Sequence, residues 1–180
     1  VEEALSRLVP AKPEPYSVDD LGRSGGFHEL VINTDESYSI YCRIRPHEAA
    51  RRVLCLIDFR GCIDEEELLR KCDRTNLITM KPFAMASTLQ RSSHDYDIEA
   101  AIAYAHLVYG KSMLTARVAE VLTAVDYFAE VWFAGLPFTF VGTGQGGLIS
   151  IISSLIENKI AGAIAIDMLA SYDSLFENKD

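Results

Sequence analysis

The chain is short of positive charge. Its 17 Lys and Arg stand against 26 Asp and Glu, a net charge of −9 over 180 residues. A nucleic-acid surface needs a basic stripe, so this balance argues against such a partner. Long apolar runs are also missing. The longest, Ile160 to Ala170, contains Asp167 and falls well short of the roughly 20 residues that cross a bilayer, so no membrane span is expected. No signal peptide is legible at the start. The first residue is Val1 rather than methionine, which implies a removed leader or a longer parent chain. The four cysteines, Cys42, Cys55, Cys62 and Cys72, form no C-x-x-C pair, which argues against a zinc site. No metal and no cofactor is expected. Histidine is confined to His28, His47, His94 and His106, and none follows.

What is present has the length and apolar content of one globular domain with a core. Residues 2–8 can form a short helix, after which Pro10, Pro13 and Pro15 impose an extended arm. Ser17 to Leu21 reads as a single capped turn ended by Gly22, Gly25 and Gly26. Residues 1–26 are therefore expected to be an arm, and residues 27–180 the domain. Phe27 to Asn33 and Tyr38 to Arg45 alternate in polarity around a turn-like Thr34–Ser37, the signature of a β-hairpin. Val53 to Ile57 is apolar at every position, as in a strand covered on both faces. Asp64 can cap a following helix, with Glu67 completing a capping box and Ile63 and Leu68 in staple positions. Leu77 to Met80 is a further short strand. Cys42 and Cys55 fall within strands and read as buried thiols, while Cys62 and Cys72 flank the Asp64 helix and stand open to pairing.

Residues 84–97 read as a loop, and residues 98–109 as a helix. Ser112 can cap the next helix, in which Val118, Val121, Leu122, Val125 and Phe128 share one face. Arg117, Glu120 and Glu130 are expected to point elsewhere. His94, set among Asp95 and Asp97, reads as a solvated loop residue, and His106 as part of a packed helix face. Asp64 to Glu67 reads as a solvated first helical turn, favoured by the helix dipole.

The chain is organised around Phe138 to Ile152. An apolar run stops after Val141, Gly142 to Gly147 hold four glycines in six residues, and a second apolar run begins. This is a strand, a tight turn and a helix. Glycine permits φ > 0 and close approach of backbones, and the helix start leaves N–H groups and a positive dipole end at the turn. Two patterns share these letters. One is G-x-G-x-x-G at Gly142, Gly144 and Gly147, with Asp167 about 20 residues on, the mark of a dinucleotide site. The other is the nucleophile elbow G-x-S-x-G, also a strand-to-helix turn, with Gly144 in the serine position. Strand order favours the second. A dinucleotide fold places its glycines in the first βα unit, whereas here at least four strands precede them.

From Val53 onward the chain resembles α/β-hydrolases of the acetyl xylan esterase and cephalosporin deacetylase type. The likeness rests on Asp58-Phe59-Arg60-Gly61 after the buried strand, Tyr109-Gly110-Lys111-Ser112-Met113 leading into the helix Arg117 to Tyr127, the elbow Gly142 to Leu148, and Ser171-Tyr172. It implies a mixed, mostly parallel sheet with helices on both faces and a front hairpin, incomplete at the C-terminus. It also implies an oxyanion hole from the backbone N–H of Gln145 and of Phe59 or Arg60. Arg60 is expected near the site because it follows the C-terminal end of a buried strand, where open α/β sheets bind ligands. In that family the elbow reads G-x-S-Q-G-G. Here Gly144 replaces the nucleophile, while Gly142, Gly146 and Gly147 keep the turn. Asp167 either holds an early acid position or ends a strand and caps the next segment. Three functions stay open. One is a degenerate esterase-like domain that binds a small-molecule or carbohydrate ester. Another is an active esterase whose remaining residues lie on a further C-terminal part. The third is a nucleotide-binding domain.

Overall fold

The computed structural model describes residues 16–34, 38–58, 61–72, 74–82, 98–108, 110 and 112–168. The expected helix at residues 2–8, the proline arm, the loop 84–97 with His94, and the tail beyond residue 168 lie outside them.

Among the described residues, seven strands form one sheet: β1 (Tyr16–Ser24), β2 (Phe27–Thr34), β3 (Ser39–Arg45), β4 (Val53–Asp58), β5 (Asn76–Lys81), β6 (Phe138–Thr143) and β7 (Ile160–Ile166). Their order is β1-β2-β3-β5-β4-β6-β7. The hairpin of β2 and β3 pairs antiparallel, as its alternation predicts, with Ile32 opposite Ile40 and Leu30 opposite Cys42. β3 is antiparallel to β5, and β5, β4, β6 and β7 are mutually parallel. The continuous apolar runs thus become the parallel part of the sheet and the alternating runs its antiparallel flank.

Residues 17–21 are a strand, not a single turn. β1 pairs antiparallel with β2 along its whole length, with a register shift between Asp20 and Gly22. The sequence hides this because β1 is an edge strand with mostly exposed side chains, and only Val18 packs toward the core. Ladder hydrogen bonds to β2 decide its conformation, and the bulge and charges blunt the free edge. Side chains reinforce the pairing: Asn33 Nδ2 donates to Asp19 Oδ2 at 2.7 Å, and Asp20 Oδ1 meets His28 Nε2 at 2.8 Å.

Four helices among the described residues cover the sheet: α1 (Glu65–Lys71), α2 (Ile98–Val108), α3 (Met113–Val131) and α4 (Gln145–Ile156). Along β4 the side chains divide by parity. Val53, Cys55 and Ile57 join Phe138 and Phe140 of β6, Val118 to Phe128 of α3, and Ile149 of α4 in the main core. Leu54 and Leu56 point the other way, into a smaller cluster with Leu77, Val141 and the α1 residues Leu68 and Leu69. Burial of each large side chain contributes about 1.5–3 kcal/mol, which makes the doubly covered β4 the anchor of both layers. The α1 start follows its sequence signals: Asp64 Oδ1 accepts from the N–H of Glu66 at 2.9 Å and of Glu67 at 3.0 Å. Ile63 and Leu68 both join the smaller cluster. The first-turn acids are engaged in local pairs, Glu65 with Thr79 and Arg43, and Glu67 with Lys71. Ser112 occupies the α3 cap position through its carbonyl, which accepts from Ala116 N–H at 3.0 Å, and its side chain makes no capping bond.

All four cysteines are free, so Cys62 and Cys72 do not pair. Cys42 and Cys55 are fully buried, and burial pushes both thiols far above the usual range. A thiol reagent at neutral pH should therefore modify exposed Cys62 first and half-buried Cys72 more slowly. Cys42 and Cys55 should react only after denaturation. Peptide mapping of the labelled native protein checks this, and early labelling of Cys42 or Cys55 would contradict the packing described.

Candidate active site

β4 feeds β5 on one side, while β6 and β7 lie on its other side. The crevice at the carboxyl ends of β4 and β6 is therefore a topological switch point, the place where open α/β sheets bind ligands. The last residues of the two strands, Asp58 and Thr143, are register partners there. Thr143 Oγ1 donates to Asp58 Oδ1 at 2.5 Å, and the Ile63 N–H donates to Asp58 Oδ2 at 2.7 Å. One carboxylate thus joins the end of β6 to the segment after β4. Thr143 is only 1 % exposed. Its hydroxyl is committed to Asp58 and is directed into the sheet end rather than over the turn.

Gly144 comes next, with φ 54° and ψ −119°, backbone that an L-residue enters only under strain. Its N–H donates to Ile166 O at 2.9 Å and its carbonyl accepts from Gly147 N–H at 3.1 Å, so both the sheet and the new helix hold the turn. The neighbouring glycines are required by close approach. A Cβ on Gly142 would stand 2.1 Å from Gly146 O, and one on Gly146 would stand 2.0 Å from Ile57 O. A Cβ on Gly147 would stand 2.9 Å from Ala165 Cβ. α4 leaves the turn pressed against β4 and β7, with no space for side chains between.

Gln145 is the first residue of α4, so its N–H has no acceptor within the helix. Its side chain is tied back, with Oε1 accepting from the Arg117 guanidinium. This corrects the expectation for α3. Arg117 and Glu120 do not point away from the core; each is 1 % exposed. α3 is packed on the sheet by one face and on α4 by another, which encloses Arg117 and Glu120, while Glu130 is exposed as expected. Arg117 is also a residue of the site that its helical spacing did not reveal. Asp58 is another. Its only signal was a carboxylate closing an otherwise apolar strand, and the register with Thr143 gives it a role.

Asp167 follows the Ile166 carbonyl bonded to Gly144, is exposed, and has φ 50°. It therefore stands next to the backbone of the glycine turn. Phe59 and Arg60, the other oxyanion-hole candidates, lie outside the described residues. His106 is buried on α2, far from the turn in sequence, with Nε2 3.3 Å from Tyr38 Oη. Among the described residues no group of three or more His, Cys, Asp or Glu is placed to hold a metal.

No family model and no curated protein matches the chain. Solved structures do. Acetyl xylan esterase 1 of Thermoanaerobacterium sp. is 11 % identical, with TM-score 0.58 over 97 % of this chain and 59 % of that one. An esterase of Pyrococcus furiosus is 10 % identical, with TM-score 0.57 over 92 % and 59 %. A cold-adapted esterase from an Arctic intertidal metagenomic library is 10 % identical, with TM-score 0.53 over 84 % and 63 %. The chain spans about three fifths of the length of these structures. Its fold is α/β-hydrolase-like: a mixed, mostly parallel sheet with a front hairpin and helices on both faces.

Substitution at the turn should separate the two kinds of glycine. Gly146→Ala forces a Cβ into the Ile57 carbonyl and should lower stability by about 3 kcal/mol or more. Gly144→Ser meets strained backbone and should cost about 1–3 kcal/mol. Urea denaturation of both variants checks this. A Gly146→Ala variant as stable as the wild type would contradict the contact between α4 and β4.

Proposed function

We propose that this chain is an esterase-like α/β-hydrolase domain whose elbow binds a small-molecule or carbohydrate ester without attacking it. The observation that carries the reading is Gly144. Its φ and ψ keep the sharp turn on which a nucleophile elbow is built, yet it has no side chain. Covalent catalysis needs a hydroxyl on that turn and a base within about 3 Å of it. Thr143, the adjacent hydroxyl in the chain, is bonded to Asp58 and buried, and no histidine follows the elbow within these 180 residues. The Gln145 N–H at the start of α4 remains as a donor for a carbonyl oxygen or an anion, helped by the helix dipole. Glycine at this position also relieves the strain that a serine would carry, so the substitution favours stability at the expense of chemistry.

A second reading is an active esterase of the same fold whose acid and base lie on a further C-terminal part. It is favoured by the chain's spanning only 59 % of the Thermoanaerobacterium enzyme. Nucleotide binding through Gly142, Gly144, Gly147 and Asp167 is disfavoured, because the glycine turn follows the sixth strand rather than the first.

Two assays test the proposal. Wild-type protein should neither hydrolyse p-nitrophenyl acetate above the solution rate nor be labelled by a fluorophosphonate. Gly144→Ser alone should not restore turnover, because no histidine follows the turn within these 180 residues to take its proton. Labelling of the wild type at Thr143, or at a serine near the elbow, would reveal a replacement nucleophile and overturn the reading.

A further inference from the structure

The two edges of the sheet are built differently. β1, at one end, carries Asp19, Asp20 and Arg23 and a register shift, features that keep other strands away. β7, at the other end, has a neighbour on one side only among the described residues, and Ile160–Ile166 contains no charge and no proline. The bond from Gly144 N–H to the Ile166 carbonyl shows which way the β7 backbone faces. Ile166, Ile164 and Gly162 turn their N–H and C=O toward β6, and alternation turns those of Ala163 and Ala165 outward. Regular pairing with β6 runs from Gly162 onward, after a register shift.

One face of this strand is packed and the other is open. Ala163 packs on the main core and Ala165 lies against Gly147 of α4. Ile164 and Ile166, on the opposite face, are 53 % and 41 % exposed. Gly162 shares that face. Its φ lies outside the left-handed region, so the register shift beside it is not of the kind that needs glycine. A Cβ built on it would meet no atom within 4 Å. Among the described residues nothing requires glycine there, yet glycine weakens a strand interior and marks places where another chain approaches closely. Charge points the same way. From Trp132 to Ile166 the charged residues are Glu157 and Lys159, one of each sign, and Lys159 is paired with Asp126 and Glu157. Exposed Asp167 follows at the strand end. In a chain of net charge −9, this is where two copies meet with little repulsion.

We propose that β7 pairs with β7 of a second copy of this chain, antiparallel about a two-fold axis at Ile164, joining the two sheets into one. A two-fold interface uses the same patch on both copies and must be self-complementary. This strand is. About Ile164, Ala163 falls opposite Ala165 of the second copy, so the outward N–H and C=O groups exchange hydrogen bonds. Ile164 meets its own counterpart on the open face. Ile166 falls opposite Gly162 of the second copy, where the missing side chain leaves it room. The pair closes at two copies because it consumes the β7 edge of both. The proposal rests on β7 and is independent of what the glycine turn binds.

The test is sedimentation velocity of the 180-residue chain across the micromolar range, with NMR amide exchange at the lowest and highest concentrations. The chain should pass from monomer to dimer as concentration rises. The Ala163 and Ala165 amides should exchange rapidly in the monomer and slowly in the dimer. Ile164→Lys puts a charge at the axis, and Gly162→Val fills the space that Ile166 takes; each should weaken the dimer about tenfold or more. Both positions are open in the single chain, so both variants should keep the wild-type circular dichroism. Leu107→Lys, on the exposed side of α2, should leave dimerisation within about twofold. A monomer at every concentration, growth beyond the dimer, unchanged exchange of Ala163 and Ala165 in the dimer, or equal weakening by Leu107→Lys would each overturn the proposal.

Discussion

A helix can begin directly against a sheet only where the backbones are allowed to touch. In this protein Gly146 lies against the Ile57 carbonyl, Gly142 against Gly146, and Gly147 against Ala165. These contacts bring the first turn of α4 onto the ends of β4 and β7. They fix the turn at Gly144, and with it the position of the Gln145 N–H. A single methyl group at Gly142 or Gly146 would push α4 outward and move the turn, since a packed interior has no slack to absorb it. The hydrogen bond from Gly144 to Ile166 then locks the turn to the neighbouring strand.

The carboxylate of Asp58 does for the opposite wall of the crevice what the glycines do for the turn. A charged group at the end of a buried strand is costly unless its oxygens are satisfied. Asp58 accepts from Thr143 on one oxygen and from Ile63 N–H on the other. The first of these bonds commits the Thr143 hydroxyl to Asp58. The hydroxyl beside the turn therefore serves to join the ends of β4 and β6. Arg117 completes this pattern by holding the Gln145 side chain toward α3.

Much of the architecture was legible along the chain. Alternation marked β2 and β3, continuous apolar runs marked the parallel strands, and Asp64 with Glu67 marked the start of α1. These signals are local: each depends on which face of one element meets the core. β1 was not legible because its exposed side chains carry no burial pattern, and it exists through its ladder with β2. Arg117 and Glu120 were misread for a related reason. Helical spacing identifies the face that meets the sheet, but it cannot foresee a second helix covering the polar side.

The glycine turn shows where the division falls. The sequence alone determined that a strand meets a helix through a glycine-rich turn with no hydroxyl at its centre. It also determined that no histidine follows within these 180 residues, because these are facts of residue identity. Two patterns shared those letters, and strand order already favoured the elbow. Only the tertiary structure decided that Gly144 takes a strained positive-φ conformation between strand and helix and that Asp58 captures Thr143. It also decided that Arg45 and Arg74, 29 positions apart by number (74 − 45), line one cleft. Each of these depends on strands distant in the chain lying side by side, and register across a sheet is set by the packing of all its layers at once.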